Sequence, residues 1–138
     1  GGLVKDQMKK ILVIDDDKMV LLTLKRLLAK EGYRVFPAQN GTEALDLLSS
    51  ANFEFDLIIS DLKMPNMNGI EVIKEIRRLI SDKKKKPIPE IIITGFAKEE
   101  IYLDALKLKA AAYIDKPFDM MPLLETIRKI IGASDNLL

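Results

Sequence analysis

Short uninterrupted apolar runs recur along the chain at Ile11–Ile14, Leu57–Ile59, Ile91–Ile93 and Ala112–Ile114, and each ends on a polar residue. Runs of this length, rich in β-branched residues, mark strands covered on both faces. A weaker run from Tyr33 to Ala38 contains Pro37, which suits a sheet edge or a strand that ends early. Between the runs the period changes. Val20, Leu21, Leu24, Leu27 and Leu28 recur at three- and four-residue spacing and predict a helix from Lys18 that closes near Glu31-Gly32, glycine being the usual C-terminal cap. Asn40-Gly41-Thr42 opens a second helix carrying Ala44, Leu45, Leu47 and Leu48, and Ile70, Ile73, Ile76, Leu79 and Ile80 form a third from Gly69. Ile101, Leu103, Ala105, Leu106 and Leu108 give a fourth over Lys98 to Lys109, with an untidy, small-residue-rich face. Asp119 is placed to cap a fifth through Leu123, Leu124, Ile127, Ile130 and Ile131. Ser81 to Pro89, with four consecutive lysines and two prolines, is predicted to be a solvated loop.

Five strands alternating with five helices imply right-handed crossovers and an α/β fold with a parallel sheet covered on both faces. At 138 residues the chain has the size of one domain, and 48% hydrophobic residues are enough for one core. Gly1 to Gln7 carries no pattern and stays outside the fold argument, a natural start at Met8 being expected. Lys and Arg total 22 against 21 Asp and Glu, so a net charge of +1 supplies no overall field to attract nucleic acid or an anionic membrane. No apolar run approaches the roughly 20 residues that span a bilayer, and a soluble, cytoplasmic protein is expected. With neither cysteine nor histidine, thiolate and imidazole chemistry is excluded, leaving carboxylates, lysine, hydroxyls and tyrosine.

The polar residues at the strand exits are Asp15 and Asp16 after the first, Asp61 after the third, Thr94 after the fourth and Lys116 after the fifth. Ligands of open parallel sheets bind outside the carboxyl ends of the strands. If the strand order is 2-1-3-4-5, these side chains converge on one crevice. Three clustered carboxylates repel one another and call for a cation. An oxygen-only donor set points to Mg²⁺ or Mn²⁺ rather than zinc. A carboxylate flanked by a metal, an ammonium and a hydroxyl suits a nucleophile toward a phosphoryl group, each of whose three oxygens finds a partner.

Ile11-Leu12-Val13-Ile14-Asp15-Asp16-Asp17, Ser60-Asp61-Leu62-Lys63-Met64-Pro65-Asn66-Met67-Asn68-Gly69, Ile93-Thr94-Gly95 and Tyr113-Ile114-Asp115-Lys116-Pro117-Phe118 together resemble the receiver domain of two-component response regulators, in order and spacing. The resemblance implies a flavodoxin-like, doubly wound five-stranded parallel sheet of order 2-1-3-4-5 with five helices, a receiver domain over 9–131 and flexible tails at 1–8 and 132–138. It also implies that Asp61 accepts a phosphoryl group from a histidine kinase or histidine phosphotransferase. Asp16 would bind Mg²⁺ directly, Asp15 mainly through water, and Lys63 through its backbone carbonyl. Thr94 would bond a phosphoryl oxygen after transfer and Lys116 another. Tyr113 matches the aromatic that turns inward when Thr94 moves, and Lys116-Pro117 matches a peptide bond that is usually cis. Phosphorylation would then bias the face built from the fourth helix, fifth strand and fifth helix toward a downstream protein, or toward a second copy of the chain.

Taken singly, each feature has a plainer reading. Asp15 and Asp16 fit a helix cap with its first-turn acid, Asp61 an Asx-turn, Thr94 a strand end, Lys116 a solvated lysine and Tyr113 core. The four blocks together outweigh those readings. Lys83 to Lys86 lacks interleaved aromatics and reads as a solvated loop rather than a nucleic-acid contact. Lys109 stands where the family commonly ends its fourth helix on glycine. A metal-dependent aspartyl phosphatase or phosphotransferase is the rival reading, but it would want an acid two residues after Asp61, where Lys63 stands. A receiver-like scaffold that is never phosphorylated is argued against by the complete site. The expectation is a switch and not an enzyme.

Overall fold

The apolar runs become the strands of one parallel sheet in the computed structural model, which describes residues 8–50, 54–64, 67–95 and 99–133. The strands are β1 (Lys10–Ile14), β2 (Arg34–Ala38), β3 (Leu57–Asp61), β4 (Glu90–Thr94) and β5 (Ala112–Asp115), arranged β2-β1-β3-β4-β5. Every residue of β1, β3 and β4 is buried, which is why their sequences carry no polar alternation. The helices are α1 (Lys18–Lys30), α2 (Gly41–Ser50), α3 (Gly69–Asp82), α4 (Glu99–Lys107) and α5 (Met120–Ile131). Alternate side chains of the same strands serve opposite layers. Ile11, Val13, Ile59, Ile91 and Ile93 pack with Leu21, Leu24 and Leu28 of α1 and Leu123, Leu124 and Ile127 of α5. Leu12, Ile14 and Ile58 face Ala44 of α2 and Val72, Ile76 and Ile80 of α3. Ile92 meets Ile70 and Ile73 of α3 and Ala105 and Leu108 at α4. The sheet order is the one the family resemblance implies, the five helices, four of them crossovers, are those the pattern predicts, and Pro37 lies on edge strand β2, opposite Val13.

Several boundaries differ from the sequence reading, each for a local reason. α3 continues through Ser81 and Asp82, so the loop starts at Lys83 rather than Ser81. It closes in a Schellman turn, in which Lys84 takes φ 57, Lys85 N–H bonds Ile80 O at 3.1 Å and Lys84 N–H bonds Ser81 O at 2.9 Å. α4, described over Glu99–Lys107, ends at Lys107 rather than Lys109, and Lys109 takes φ 53 just beyond it. Tyr33 stays outside β2, its hydroxyl donating to Gly132 O at 2.9 Å. Asp119 occupies the position before α5, but its side chain makes no capping hydrogen bond. A two-residue antiparallel ladder, Lys63–Met64 with Met67–Asn68, stands where only a loop was expected. The tails expected at 1–8 and 132–138 lie mostly outside the described residues, as does Lys98.

This ladder returns the chain to α3 at Gly69, whose N–H bonds Leu62 O at 3.1 Å. A Cβ on Gly69 would collide with Leu62 O and lie 2.8 Å from Leu62 C and Cα, all backbone atoms next to Asp61. The contact cannot be relieved by a rotamer change. Gly69→Ala is therefore expected to cost about 2–3 kcal/mol, at the upper end of overpacking effects, read as a lowered urea midpoint. An unchanged midpoint would show that this approach is not tight.

Candidate functional site

Parallel register brings the strand ends level. Ile14 stands opposite Ser60, Asp61 opposite Ile93, and Thr94 opposite Asp115. The residues just past β1 therefore face the last residue of β3, and Asp15, Asp16 and Asp61 present carboxylate oxygens that all lie within 4.8 Å of one another. Asp15 and Asp61 are buried, whereas Asp16 is exposed. Asp15 is held by Asp17, whose N–H donates to its Oδ1 at 2.9 Å, while the Asp17 carboxylate caps α1 through Met19 N–H at 2.9 Å.

One ammonium answers these acids. Lys116 Nζ lies 2.6 Å from Asp61 Oδ2 and 3.3 Å from Asp15 Oδ2. Its backbone is fixed by a 2.6 Å hydrogen bond from Lys116 N–H to Thr94 O, and the Lys116–Pro117 peptide is cis. Burial alone would pull Lys116 down, but the hydrogen bond and charge of Asp61, with those of Asp15, outweigh it and hold its pKa above the ordinary lysine value. Asp15 is pushed above the usual carboxylate range, chiefly by burial and also by the charge of Asp61, against the opposing pull of Asp17 N–H and Lys116. Among the described residues the ion pairs of this cluster set one ammonium, Lys116, against three carboxylates. The cluster's donors are all oxygens, a set that fits a hard divalent cation.

Thr94 is buried at the end of β4, and its hydroxyl donates to Asp115 Oδ1 at 3.0 Å. Asp115 is a partner that sequence reasoning left without a role; its position at the end of the last apolar run was the available signal. Gly95 lies against the Lys116 stem, where an added Cβ would make only ordinary contact at 3.8 Å. Lys63 enters the short ladder opposite Asn68, two residues past Asp61. Tyr113 is half-buried and its hydroxyl is already tied to α4, donating to Ala105 O at 2.6 Å and accepting from Ala110 N–H at 3.0 Å. This tether coexists with the Thr94–Asp115 bond.

Residues 11–128 match the family model of the response regulator receiver domain, and the chain belongs to that family. It is 31% identical over 128 residues to sporulation initiation phosphotransferase F of Bacillus subtilis, covering 93% of this chain and 98% of that protein. It is 37% identical over 127 residues to the transcriptional regulatory protein CpxR of Escherichia coli K12, covering 92% of this chain but 51% of that protein, so the chain spans about half of CpxR. A response regulator receiver domain protein from Clostridium thermocellum superposes with a TM-score of 0.77 at 32% identity, covering 89% of this chain and 94% of that one. The chain is thus a receiver domain of two-component signalling, a module phosphorylated on an aspartate. Receiver domains are signalling switches that bind Mg²⁺ at an acidic cluster and work with histidine kinases or phosphotransferases and downstream effectors.

The raised pKa of Asp15 means that the folded state holds its proton more tightly than the unfolded chain does. Ionised Asp15 therefore costs stability, a cost absent at low pH that grows as pH rises through the raised pKa. In EDTA, Asp15→Asn is expected to raise the denaturation midpoint at pH 7, with the gain shrinking toward zero below about pH 4, the ordinary carboxylate value. A gain that persisted unchanged at low pH would exclude ionisation as its source.

Proposed function

We propose that Asp61 is the phosphoacceptor of this receiver domain; the observation that carries the assignment is its buried carboxylate, gripped by Lys116 and flanked by Asp15 and Asp16. In this reading an Asp61 oxygen attacks the phosphorus of a phosphohistidine on a kinase or phosphotransferase. A P–O bond forms, the P–N bond breaks, and the electron pair leaves with the donor's imidazole, which takes up a proton. Lys116 follows the developing charge from the carboxylate to a phosphoryl oxygen, and Thr94 exchanges Asp115 for another. Asp15, Asp16, Asp61 and the Lys63 carbonyl would hold Mg²⁺ or Mn²⁺, which, when bound, neutralises the charge of the transferring group.

The phosphoryl group adds about −1.5 to −2 charge beside Thr94. When Thr94 releases Asp115, the load at the end of β5 changes, and Tyr113 two residues away links β5 to the end of α4. The protein then works by partner exchange rather than by turnover of a substrate. Ile101 and Leu103 of α4 are 40% and 52% exposed and, with Tyr102 and Leu106, give an apolar surface for a downstream protein or a second copy on the α4-β5-α5 face. We assign this activity to residues 9–131 and place it in the cytoplasm, a location compatible with the lack, among the described residues, of any helix long and apolar enough to cross a membrane.

Intact mass after incubation with acetyl phosphate and Mg²⁺ tests the assignment. One phosphoryl group is expected on the wild type, labile to hydroxylamine, absent in EDTA and absent from Asp61→Asn. Full labelling of Asp61→Asn would move the acceptor elsewhere.

A further inference from the structure

The acids occupy the carboxyl end of the sheet. At the opposite end, where the chain enters β4, the C-terminal turns of α3 and α4 flank a cavity of about 840 Å³. That volume lies within the range of small-molecule sites. Its wall is largely apolar, with Ile80, Pro87, Ile88, Pro89 and Leu108, and its rim carries Lys84, Lys85 and Lys109. The one acid in the wall, Glu90, is buried and taken up by Arg77 through hydrogen bonds of 2.9 and 2.6 Å, so it does not oppose an incoming anion.

Two of the rim lysines are held at a conformational cost. Lys84 (φ 57) and Lys109 (φ 53) are the non-glycine residues with positive φ among the described residues, and both line this cavity. Each sits just past a helix cap, where glycine would adopt the left-handed conformation with no Cβ penalty and an L side chain is disfavoured. Complementing the helix dipole does not explain Lys109, because Lys107 in the last turn of α4 already places charge there without a positive φ; at α3, Lys83 sends its ammonium to Leu48 O and Ser49 O of α2 instead. Nor are Lys84 and Lys109 needed to satisfy bare carbonyls. Ile80 O, Ser81 O and Leu106 O accept backbone N–H groups, and Ala105 O accepts the Tyr113 hydroxyl. Among the described residues no ion pair engages the ammoniums of Lys84, Lys85 or Lys109. Strain retained twice around one cavity is an outlier from which function is properly inferred.

We propose that this cavity binds a nucleoside polyphosphate, with the phosphates on Lys84, Lys85 and Lys109 and the base and sugar against the Ile88, Leu108 and proline wall. An acidic peptide fits less well. Pro87 and Pro89 offer no N–H and Pro89 O is already bonded to Ile58 N–H at 3.0 Å, so this wall gives little for a peptide backbone to pair with. The site lies apart from Asp61, and the proposal stands or falls independently of the phosphoacceptor assignment.

The test is a titration of ¹⁵N-labelled full chain with ATP, adenosine, tripolyphosphate and a glutamate-rich peptide, in EDTA to keep phosphates from being carried to the acidic cluster by a metal. Saturable amide shifts at Lys84, Lys85, Lys109 and Ala111 are expected with ATP, and much weaker ones with the other three. Lys84→Gly and Lys109→Gly each keep the left-handed turn while removing one ammonium. Each is expected to weaken ATP binding about five-fold, as loss of a partly exposed charge contact implies, with no fall in Tm. The proposal is overturned if ATP gives no saturable shifts, if adenosine, tripolyphosphate or the peptide binds as tightly as ATP, or if both glycine variants bind ATP like the wild type.

Discussion

A single ammonium set between two buried carboxylates is the contact on which this structure turns. Lys116 reaches Asp61 at 2.6 Å and Asp15 at 3.3 Å, and the three residues come from three different strand ends. Burying two carboxylates is costly unless they are paired. The pairing requires β1, β3 and β5 to end at the same level, which parallel register provides. The strands in turn stay level because both faces of the sheet are packed: Ile59 and Ile93 on the α1 and α5 side, Ile58 and Ile92 on the other. The close pass of Gly69 over Leu62 fixes the chain directly after Asp61. The site is thus an outcome of the whole sheet rather than of a loop laid on it.

Among the described residues three carboxylates meet one ammonium, an oxygen-rich set suited to a hard divalent cation. Exposed Asp16 adds a third carboxylate on the solvent side, where a hydrated divalent cation can be reached. On the inner side, Thr94 ties β4 to Asp115 on β5, and Lys116 N–H ties β5 back to Thr94 O. The acids and the end of α4 therefore share one short strand, β5. The Tyr113 hydroxyl lies between Ala105 O and Ala110 N–H, the two groups that would bond directly in a full Schellman turn, so α4 ends on a side chain from that strand. The Thr94–Asp115 bond and the Tyr113 hydroxyl are the contacts through which the proposed switch would connect Asp61 to that helix end.

Much of this was legible in the sequence because the strongest signals are also the physical determinants. Uninterrupted runs such as Ile91-Ile92-Ile93 occur only where both faces of a strand are covered, and a polar residue ending each run marks the edge of the core. The crevice followed from those exits, and the family from their spacing. What escaped is of two kinds. Some features are too short to have a period, such as the Lys63–Met64 and Met67–Asn68 ladder, hidden among turn-forming residues. Others depend on partners distant in sequence or on backbone angles that side-chain identity conceals. Lys84 and Lys109 adopt the left-handed conformation without the glycine that would have announced it, so the ends of α3 and α4 were misplaced by a residue or two. The role of Asp115 depends on Thr94, 21 residues away, and Asp119 has the chemistry of a cap without forming one.

In the proposed switch, phosphorylation at Asp61 is read through the exchange of the Thr94 partner. Backbone amide spectra of the protein before and after phosphorylation with acetyl phosphate and Mg²⁺, with a Mg²⁺-only reference, test that exchange. The largest changes are expected at Thr94, Asp115, Tyr113 and Ala110, along β4, β5 and the end of α4, and they should be strongly reduced there in Thr94→Ala although Asp61 still takes the phosphoryl group. Changes confined to the neighbours of Asp15 and Asp61, or changes at Tyr113 and Ala110 that persist in full in Thr94→Ala, would contradict it.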